Sequence, residues 1–196
     1  NTRQEQSPLF QAIALGCFSL LATTSYAGPG LLDSTFAPAL DGPVYSAAVQ
    51  PDGRILIAGN FTKVNGVTRN RLARFYPNGS LDATFLATGS GVSGVVNCLL
   101  IQTDGRVLIG GDFATVNSTA RVRVARLNVD GSLDGTFNPG TGPSAAVNSL
   151  AVHSDGKVLI GGTFLTVAGA NRYYAARLND DGGLDSNFNT STGISG

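Results

Sequence analysis

The chain is poor in the side chains that most enzymes and metal proteins use. Its 196 residues contain one histidine, one glutamate, two lysines and two cysteines, and only 13% of them are charged. The 13 basic and 13 acidic residues cancel, so the totals imply neither a basic face for nucleic acid nor an acidic face for cations. We therefore expect no nucleic-acid partner.

The two cysteines have no obvious chemistry. Cys17 lies in an apolar N-terminal segment, and Cys98 stands far from it in the sequence. A disulfide, a zinc site or a thiol nucleophile would need partner residues that this chain lacks. Cys98 is predicted to be a small packed residue.

The residues that are abundant favour an all-β fold. Hydrophobic residues make up 42% of the chain, and there are 26 glycines together with many Asn, Thr, Ser and Val residues. This composition is typical of short strands joined by tight turns.

The N-terminus carries an export signal. Residues 8–22 are apolar apart from Gln11 and Ser19, and small residues at Ser25 and Ala27 fit a signal-peptidase site. Residues 1–27 are thus predicted to be a cleaved signal peptide or a hydrophobic helix that anchors the chain, with lipidation at Cys17 a third possibility. All three alternatives place residues 28–196 outside the cytoplasm, with membrane contact only through residues 8–27.

Residues 28–196 consist of an internal repeat. The turn residues Asp52, Asp104 and Asp155, each followed by Gly and a run ending in Gly-x-Phe, are 52 and then 51 residues apart. The approximate units are 30–80, 81–132 and 133–184, with a partial unit over 184–196. Only the links between units vary in length, so they are predicted to be surface loops that could bind a partner.

Each unit predicts four short strands. In the first unit these are Val44–Val49, Arg54–Ala58, Arg71–Phe75 and the Leu81-Asp-x-x-Phe85 element, with an Asp-Gly hairpin turn after the first strand. Four short strands per repeat suit a β-propeller blade. Three blades are fewer than a closed ring needs, so we expect further repeats in a longer chain, self-association, or a protein partner to cover the open edges.

The motifs resemble a known family. The pattern Gln-x-Asp-Gly-(Arg/Lys)-(Ile/Val)-Leu-Ile-x-Gly-x-Phe, followed by Ala-Arg-Leu-Asn-x-Asp-Gly-Ser-Leu-Asp-x-x-Phe, is similar to the delta-60 repeat of bacterial secreted proteins, a β-propeller family of unknown function. The resemblance covers residues 30–196. It implies a propeller fold and an extracellular or envelope location, and it implies no established activity.

Recurrent charges are predicted to be structural. An arginine and an aspartate recur once per unit, and a partly buried arginine is tolerated when a carboxylate pairs with it. These residues are Arg74, Arg126, Arg177, Asp82, Asp134 and Asp185. The lone histidine, His153, stands where the other units have Gln50 and Gln102, so a catalytic role is not expected.

Two further groups are candidate binding sites. Oxygen-bearing side chains around two Asp-Gly turns resemble part of a calcium loop, although turns in which Asn and Asp bond the local backbone are the favoured explanation. The calcium candidates are Asn128, Asp130, Asp134, Asn179, Asp181 and Asp185. A mildly basic rim with two tyrosines is the candidate interaction surface, formed by Arg69, Arg71, Arg121, Arg123, Tyr173 and Tyr174.

Together these features predict a non-enzymatic, exported structural or protein-interaction module that requires no cofactor. The alternatives are a carbohydrate- or calcium-binding surface module, or a membrane-anchored accessory subunit of a larger complex.

Overall fold

The computed structural model describes residues 36–87 and 89–189. The predicted signal or anchor segment, residues 1–27, lies outside this part of the chain. The described residues form strands, turns and irregular segments without a helix. Among them there is accordingly no helix long and apolar enough to span a membrane.

The fifteen strands of the described residues form three equivalent groups of five. The first group comprises β1 (Val44–Val49), β2 (Ile55–Gly59), β3 (Lys63–Val64), β4 (Val67–Thr68) and β5 (Leu72–Phe75). The second comprises β6 (Val95–Ile101), β7 (Val107–Asp112), β8 (Thr115–Val116), β9 (Thr119–Ala120) and β10 (Val124–Leu127). The third comprises β11 (Val147–Val152), β12 (Val158–Gly162), β13 (Thr166–Val167), β14 (Ala170–Asn171) and β15 (Ala175–Leu178).

Each group builds one three-stranded antiparallel sheet. The strand orders are β1-β2-β5 in the first sheet, β6-β7-β10 in the second and β11-β12-β15 in the third. The Asp52-Gly53 turn closes the first hairpin: Gly53 has φ 80°, and its N–H donates to the Gln50 carbonyl at 2.9 Å. The three predicted strands of this sheet are confirmed to within one residue at each end.

The predicted fourth strand is reduced to one residue pair in each sheet. Leu81 pairs with Phe75, Leu133 with Leu127 and Leu184 with Leu178 as isolated bridges. The cause is local, since the side chain of the next residue ends the pairing. Asp82 accepts hydrogen bonds from both the N–H and the hydroxyl of Thr84, at 2.9 and 2.6 Å, and this turns the backbone away from the sheet.

A small hairpin that we did not predict connects the second and third strands of each sheet. It is β3-β4, β8-β9 or β13-β14. The first is closed by Asn65 and Gly66, both with positive φ (51° and 78°), which is the conformation of a tight two-residue β-turn. The Asn-Gly dipeptide was a usable sequence signal for it.

The core is divided between neighbouring sheets. Leu56, Ala58 and Leu72 of the first sheet share a cluster with Ile109 and Leu127 of the second. A second cluster joins the second and third sheets in the same way. Strand β6 packs against β1 and β2, and β11 packs against β6 and β7. The first sheet is therefore covered by the second, and the second by the third.

We name the two ends of the sheets after the chain connections that lie there. The turn end carries the Asp-Gly hairpin turns and the turns that precede the Leu-Asp elements. The link end carries the small hairpins and the variable links, which meet through the isolated bridges Leu40–Val64, Val92–Val116 and Pro143–Val167.

Replacing Ser118 by glycine should stabilise the protein. Ser118 has φ 64° at the position held by Gly66 and Gly169 in the other hairpins, and a left-handed conformation costs a non-glycine residue about 1 kcal/mol. We expect Ser118→Gly to raise the melting temperature by about 2–4 °C, as measured by calorimetry. Gly169→Ser is the reciprocal control and should lower it; equal melting temperatures for all three proteins would contradict this account.

Candidate functional site

The most constrained polar group in each sheet is an arginine held between an aspartate and a phenylalanine. Arg126 Nε donates to Asp134 Oδ2 at 2.7 Å, and its guanidinium carbon lies 5.0 Å from the ring centre of Phe137. Arg74 has the same two neighbours, Asp82 and Phe85, and Arg177 has Asp185 and Phe188. We call this group the Arg–Asp–Phe unit.

Each aspartate of the unit uses both carboxylate oxygens. Oδ1 of Asp134 accepts from the N–H and hydroxyl of Thr136, while Oδ2 accepts from Arg126 and Arg106. Oδ2 of Asp185 accepts from Lys157 Nζ and Arg177 Nε, both at 2.8 Å. The predicted pairing of the recurrent arginines and aspartates is present in all three sheets.

These hydrogen bonds hold the carboxyls ionised. Burial raises the pKa of Asp82, but hydrogen bonds from Thr84 and Arg74 outweigh it and lower the pKa to about 2. The pKa of Asp134 is lowered by the same balance of burial against Thr136 and Arg126. At Asp185 the hydrogen bond from Lys157 is the largest influence, and the pKa is again about 2. Such acids are poor proton donors at neutral pH.

The arginine also reaches the following sheet. Arg74 Nη1 donates to the carbonyl of Val129 at 2.5 Å, and Arg126 Nη1 donates to Asp180 Oδ1 at 2.6 Å. Both acceptors lie in the turn that precedes the next Leu-Asp element. The first two Arg–Asp–Phe units therefore each join two repeats as well as two strands.

Backbone contacts reinforce this joint. The N–H of Leu86 donates to the Asp130 carbonyl at 3.0 Å, and the N–H of Asn138 donates to the Asp181 carbonyl at 2.7 Å. A Cβ on Gly131 would lie 2.8 Å from the Leu86 nitrogen, so a glycine is needed there on steric grounds as well as for its φ of 86°.

We call the face of the first or second sheet that the following sheet covers its forward face. The equivalent face of the third sheet is more exposed to solvent. In the first two sheets its residues Leu56, Leu72, Leu108 and Val124 are fully buried. The equivalent positions of the third sheet are only half-buried, and these are Leu159 and Ala175. The Arg177 side chain is 24% exposed, against 4% for Arg74 and 2% for Arg126.

The calcium candidates lie at two separate turns and are engaged in hydrogen bonds. Asp130 Oδ1 accepts from the N–H and hydroxyl of Ser132, and Asn128 donates to the same hydroxyl. Asp181 Oδ1 accepts from the N–H of Gly183, and the backbone N–H of Asn179 donates to the Gly183 carbonyl. Within residues 36–87 and 89–189, no three His, Cys, Asp or Glu side chains gather as metal ligands. Calcium binding at these turns stays a prediction.

The interaction candidates all lie at the link end. Arg69 and Arg71 follow β4 at the base of the first small hairpin, and Arg121 and Arg123 occupy the same places in the second. Arg123 reaches the carbonyl of Pro143 in the following link at 2.9 Å. Its equivalent in the third repeat, Tyr174, is 46% exposed, and Tyr173 is half-buried beside it.

Several residues that sequence reasoning missed cap the small hairpins. Ser93 Oγ accepts from the N–H groups of Ala114 and Thr115, and Ser144 does the same for Leu165 and Thr166. Asp41 takes this role in the first repeat, where hydrogen bonds from Thr62 and from the Lys63 N–H lower its pKa to about 2. The usable signal was the recurrence of a polar residue at one place in each variable link.

The remaining chemically distinctive residues lie apart from these groups. A cleft of about 570 Å³ opens at the turn end between the second and third sheets, and its walls include Arg106, His153 and Asp180. His153 pairs there with Asp155 at 2.9 Å. Cys98 is a free, partly buried thiol, and burial raises its pKa to about 11, which leaves it protonated and unreactive at neutral pH.

Removing the arginine of a unit should cost more when the next sheet is in contact with it. We expect Arg126→Met to lower the free energy of unfolding by about 3 kcal/mol, because it removes the nearest cation from a buried carboxylate and loses the bond to Asp180. Arg177→Met should cost about 1 kcal/mol, since that side chain is partly solvated. Urea unfolding measures both variants. A larger loss for Arg177→Met would contradict the role assigned to the joint.

Acid should weaken the fold through these carboxyls. Because their folded-state pKa is depressed, they stabilise the fold above their ordinary pKa of 3.8, and this contribution disappears as the pH falls towards 2. Asp82→Asn should reduce the slope of unfolding free energy against pH in this window by about 1.4 kcal/mol per pH unit. Urea midpoints between pH 2 and pH 5 test this, and an unchanged slope would refute it.

The comparisons with known proteins point to one family. Three segments of the chain, residues 50–85, 102–137 and 153–188, match the family described as "Domain of unknown function (DUF5122) beta-propeller". No curated protein matches the chain. Among solved structures, a protein of unknown function from Bacteroides caccae is similar, with 16% sequence identity and a TM-score of 0.34. The match covers 72% of this chain and 65% of that one. Since the three matched segments together span more than half of the sequence, the chain belongs to this β-propeller family of unknown function.

Proposed function

We propose that the chain is a non-enzymatic structural and protein-interaction module of an exported β-propeller. Each repeat serves as one blade of four segments. Three of them are the strands of the sheet, and the fourth is the Leu-Asp-x-x-Phe element. The single bridge pair at Leu81, Leu133 or Leu184 marks where that element joins its sheet. The predicted export signal in residues 1–27 supports placing these blades outside the cytoplasm.

The observation that carries the proposal is the use of buried charge. Buried ionisable groups usually mark either chemistry or packing. Here the buried Asp82 and Asp134 are bound to Arg74 and Arg126, and those arginines bind the next repeat. These buried carboxyls thus serve to hold the arginines that join successive repeats, and the Arg–Asp pair recurs although its acceptor in the next repeat is a carbonyl in one case and a carboxylate in the other.

The forward face of the third sheet is the proposed protein-binding surface. Its counterparts in the first two sheets are each covered by a further repeat that offers a turn acceptor to the arginine, Val129 O to Arg74 and Asp180 to Arg126. Ser46 Oγ likewise accepts from the N–H of Leu99 in the following sheet, and its equivalent, Ser149, is exposed. The partner that fits is another repeat of this family, with its turn carbonyl presented to Arg177.

The intact mass of the protein isolated from its native source tests this proposal. We expect this chain in a stable assembly in which a further repeat of the same family covers the third sheet. Ala151→Glu, placed on the exposed part of that face, should break the assembly. Ser80→Glu, at an exposed turn position, is the control and should leave it intact.

A monodisperse 20.1 kDa monomer or smaller processed chain would overturn the interaction proposal. A bound partner that lacks the repeat motif would overturn the identity of the partner.

A further inference from the structure

Each small hairpin is capped by three consecutive residues of the link that precedes it. In the third repeat, the Gly142 carbonyl accepts from the N–H of Ala168 at 3.0 Å, and Pro143 pairs with Val167 as an isolated bridge. Ser144 Oγ then accepts from two backbone N–H groups at the start of the hairpin, both at 3.1 Å. We call these three residues the cap tripeptide.

The other two small hairpins in the described part of the chain are capped in the same way. The cap tripeptides are residues 39–41 in the first repeat, 91–93 in the second and 142–144 in the third. The side-chain acceptors are their last residues, Asp41, Ser93 and Ser144. Each hairpin that the structure describes therefore has its own cap.

The first residue of the cap tripeptide also lies against the preceding repeat. A Cβ on Gly142 would lie 2.5 Å from the Val122 carbonyl oxygen, and a Cβ on Gly91 would lie 2.9 Å from the Asn70 Cβ. Both glycines have positive φ, 69° and 73°. Ala39 begins the first tripeptide, which no sheet precedes among the described residues. A glycine is thus required where a preceding repeat packs against the cap.

A fourth copy of the cap tripeptide occurs in the sequence. Residues 193–195 are Gly-Ile-Ser, which is the same order of glycine, apolar residue and polar acceptor. The serine follows Phe188 by seven residues, as Ser144 follows Phe137. Residues 193–195 lie outside the described part of the chain. The sequence therefore has four cap tripeptides, whereas the described residues form three small hairpins.

The third repeat offers the surface on which this fourth tripeptide would pack. Tyr173 stands at the position of Val122, and Tyr174 stands at the position of Arg123. Arg123 Nη1 donates to the Pro143 carbonyl of the following cap at 2.9 Å. Tyr174 is 46% exposed and Tyr173 is half-buried. The two tyrosines thus occupy the positions that contact the following cap in the earlier repeats.

We propose that residues 193–195 cap the small hairpin of the further repeat that covers the third sheet. This inference rests on the proposed function and specifies the partner of the same surface. Ser195 Oγ would accept two N–H groups of the partner hairpin, as Ser93 and Ser144 do within the chain. The partner is therefore a repeat whose small hairpin has no cap of its own. A second copy of this chain does not fit, because its described hairpins are all capped.

The first sheet gives an independent reason why a second copy does not fit. Head-to-tail pairing would place the third sheet of one copy on the face of the first sheet opposite its forward face. Phe36 already packs against that face, with its ring centre 5.3 Å from that of Phe75. The strand residues of that face are at most 3% exposed, and these are Ile55, Ile57, Ala73 and Phe75. This face has no apolar area left for another sheet.

Melting temperatures of two serine variants, with and without the covering repeat, test this inference. In the chain produced on its own, Ser144→Ala removes an acceptor of two N–H groups and should lower the melting temperature by about 2–4 °C. Ser195→Ala should leave it unchanged there, because its hairpin belongs to the partner. In the protein isolated from its native source with the covering repeat in place, both variants should lower it by about 2–4 °C.

Two further variants and one measurement sharpen the test. Gly193→Val should lower the melting temperature of the native-source protein more than Ser195→Ala does, since a Cβ at this position meets the preceding repeat. Ser191→Ala, in the same segment but outside the cap tripeptide, is the matched control and should change neither protein. Sedimentation should show the chain produced on its own as a monomer.

Indifference of the native-source protein to both Ser195→Ala and Gly193→Val would overturn this inference, while the presence of a covering repeat would leave the proposed function intact. Self-association of the chain produced on its own would also overturn it, as would an unchanged melting temperature for Ser144→Ala. Absence of any covering repeat in the native-source protein would overturn both the inference and the proposed function.

Discussion

The contact on which the rest of this structure depends is the buried ion pair between Arg74 and Asp82 and its copies in the other repeats. A charged group in the core is unfavourable unless all of its hydrogen-bonding capacity is used. The aspartate meets that condition with a threonine and an arginine inside its own repeat. The arginine completes its own set with an acceptor in the next repeat. The first and second sheets are therefore each coupled to the repeat that follows them, and the repeats stabilise one another in sequence.

Net charge gives a poor account of the surface of this protein. The totals cancel over the whole chain, and we expected no charged face from them. The fold places opposite charges at different ends of the sheets. The recurrent aspartates form ion pairs at the turn end, while the arginines beside the small hairpins lie at the link end. The position of a charged residue within the repeat therefore predicts the surface charge better than the total number of charges does. The reason is that equivalent positions of all repeats lie at the same end of the sheets.

The sequence predicts the parts of the fold that depend on local rules. Val44–Val49 and its partner strands follow from alternation and from the Asp-Gly turns, and both signals act between residues close in the chain. The Arg–Asp pairing was also predictable, because both residues recur at one spacing in every repeat. The bond from Arg74 to Val129 was not, since its acceptor is a backbone carbonyl that any residue could supply. The small hairpins were missed because two-residue strands show no periodicity.

The hydrogen bonds between successive repeats involve backbone groups more than side chains. The N–H groups of Leu86 and Asn138 each donate to a carbonyl in the next turn, and the acceptor of Arg74 is a carbonyl as well. A duplicated repeat would meet those acceptors whatever its surface residues, provided that it kept the turn glycine. Copies could thus be gained, lost or exchanged during evolution without compensating substitutions in their neighbours. Sequence drift on the outer surfaces would then proceed independently of the number of blades.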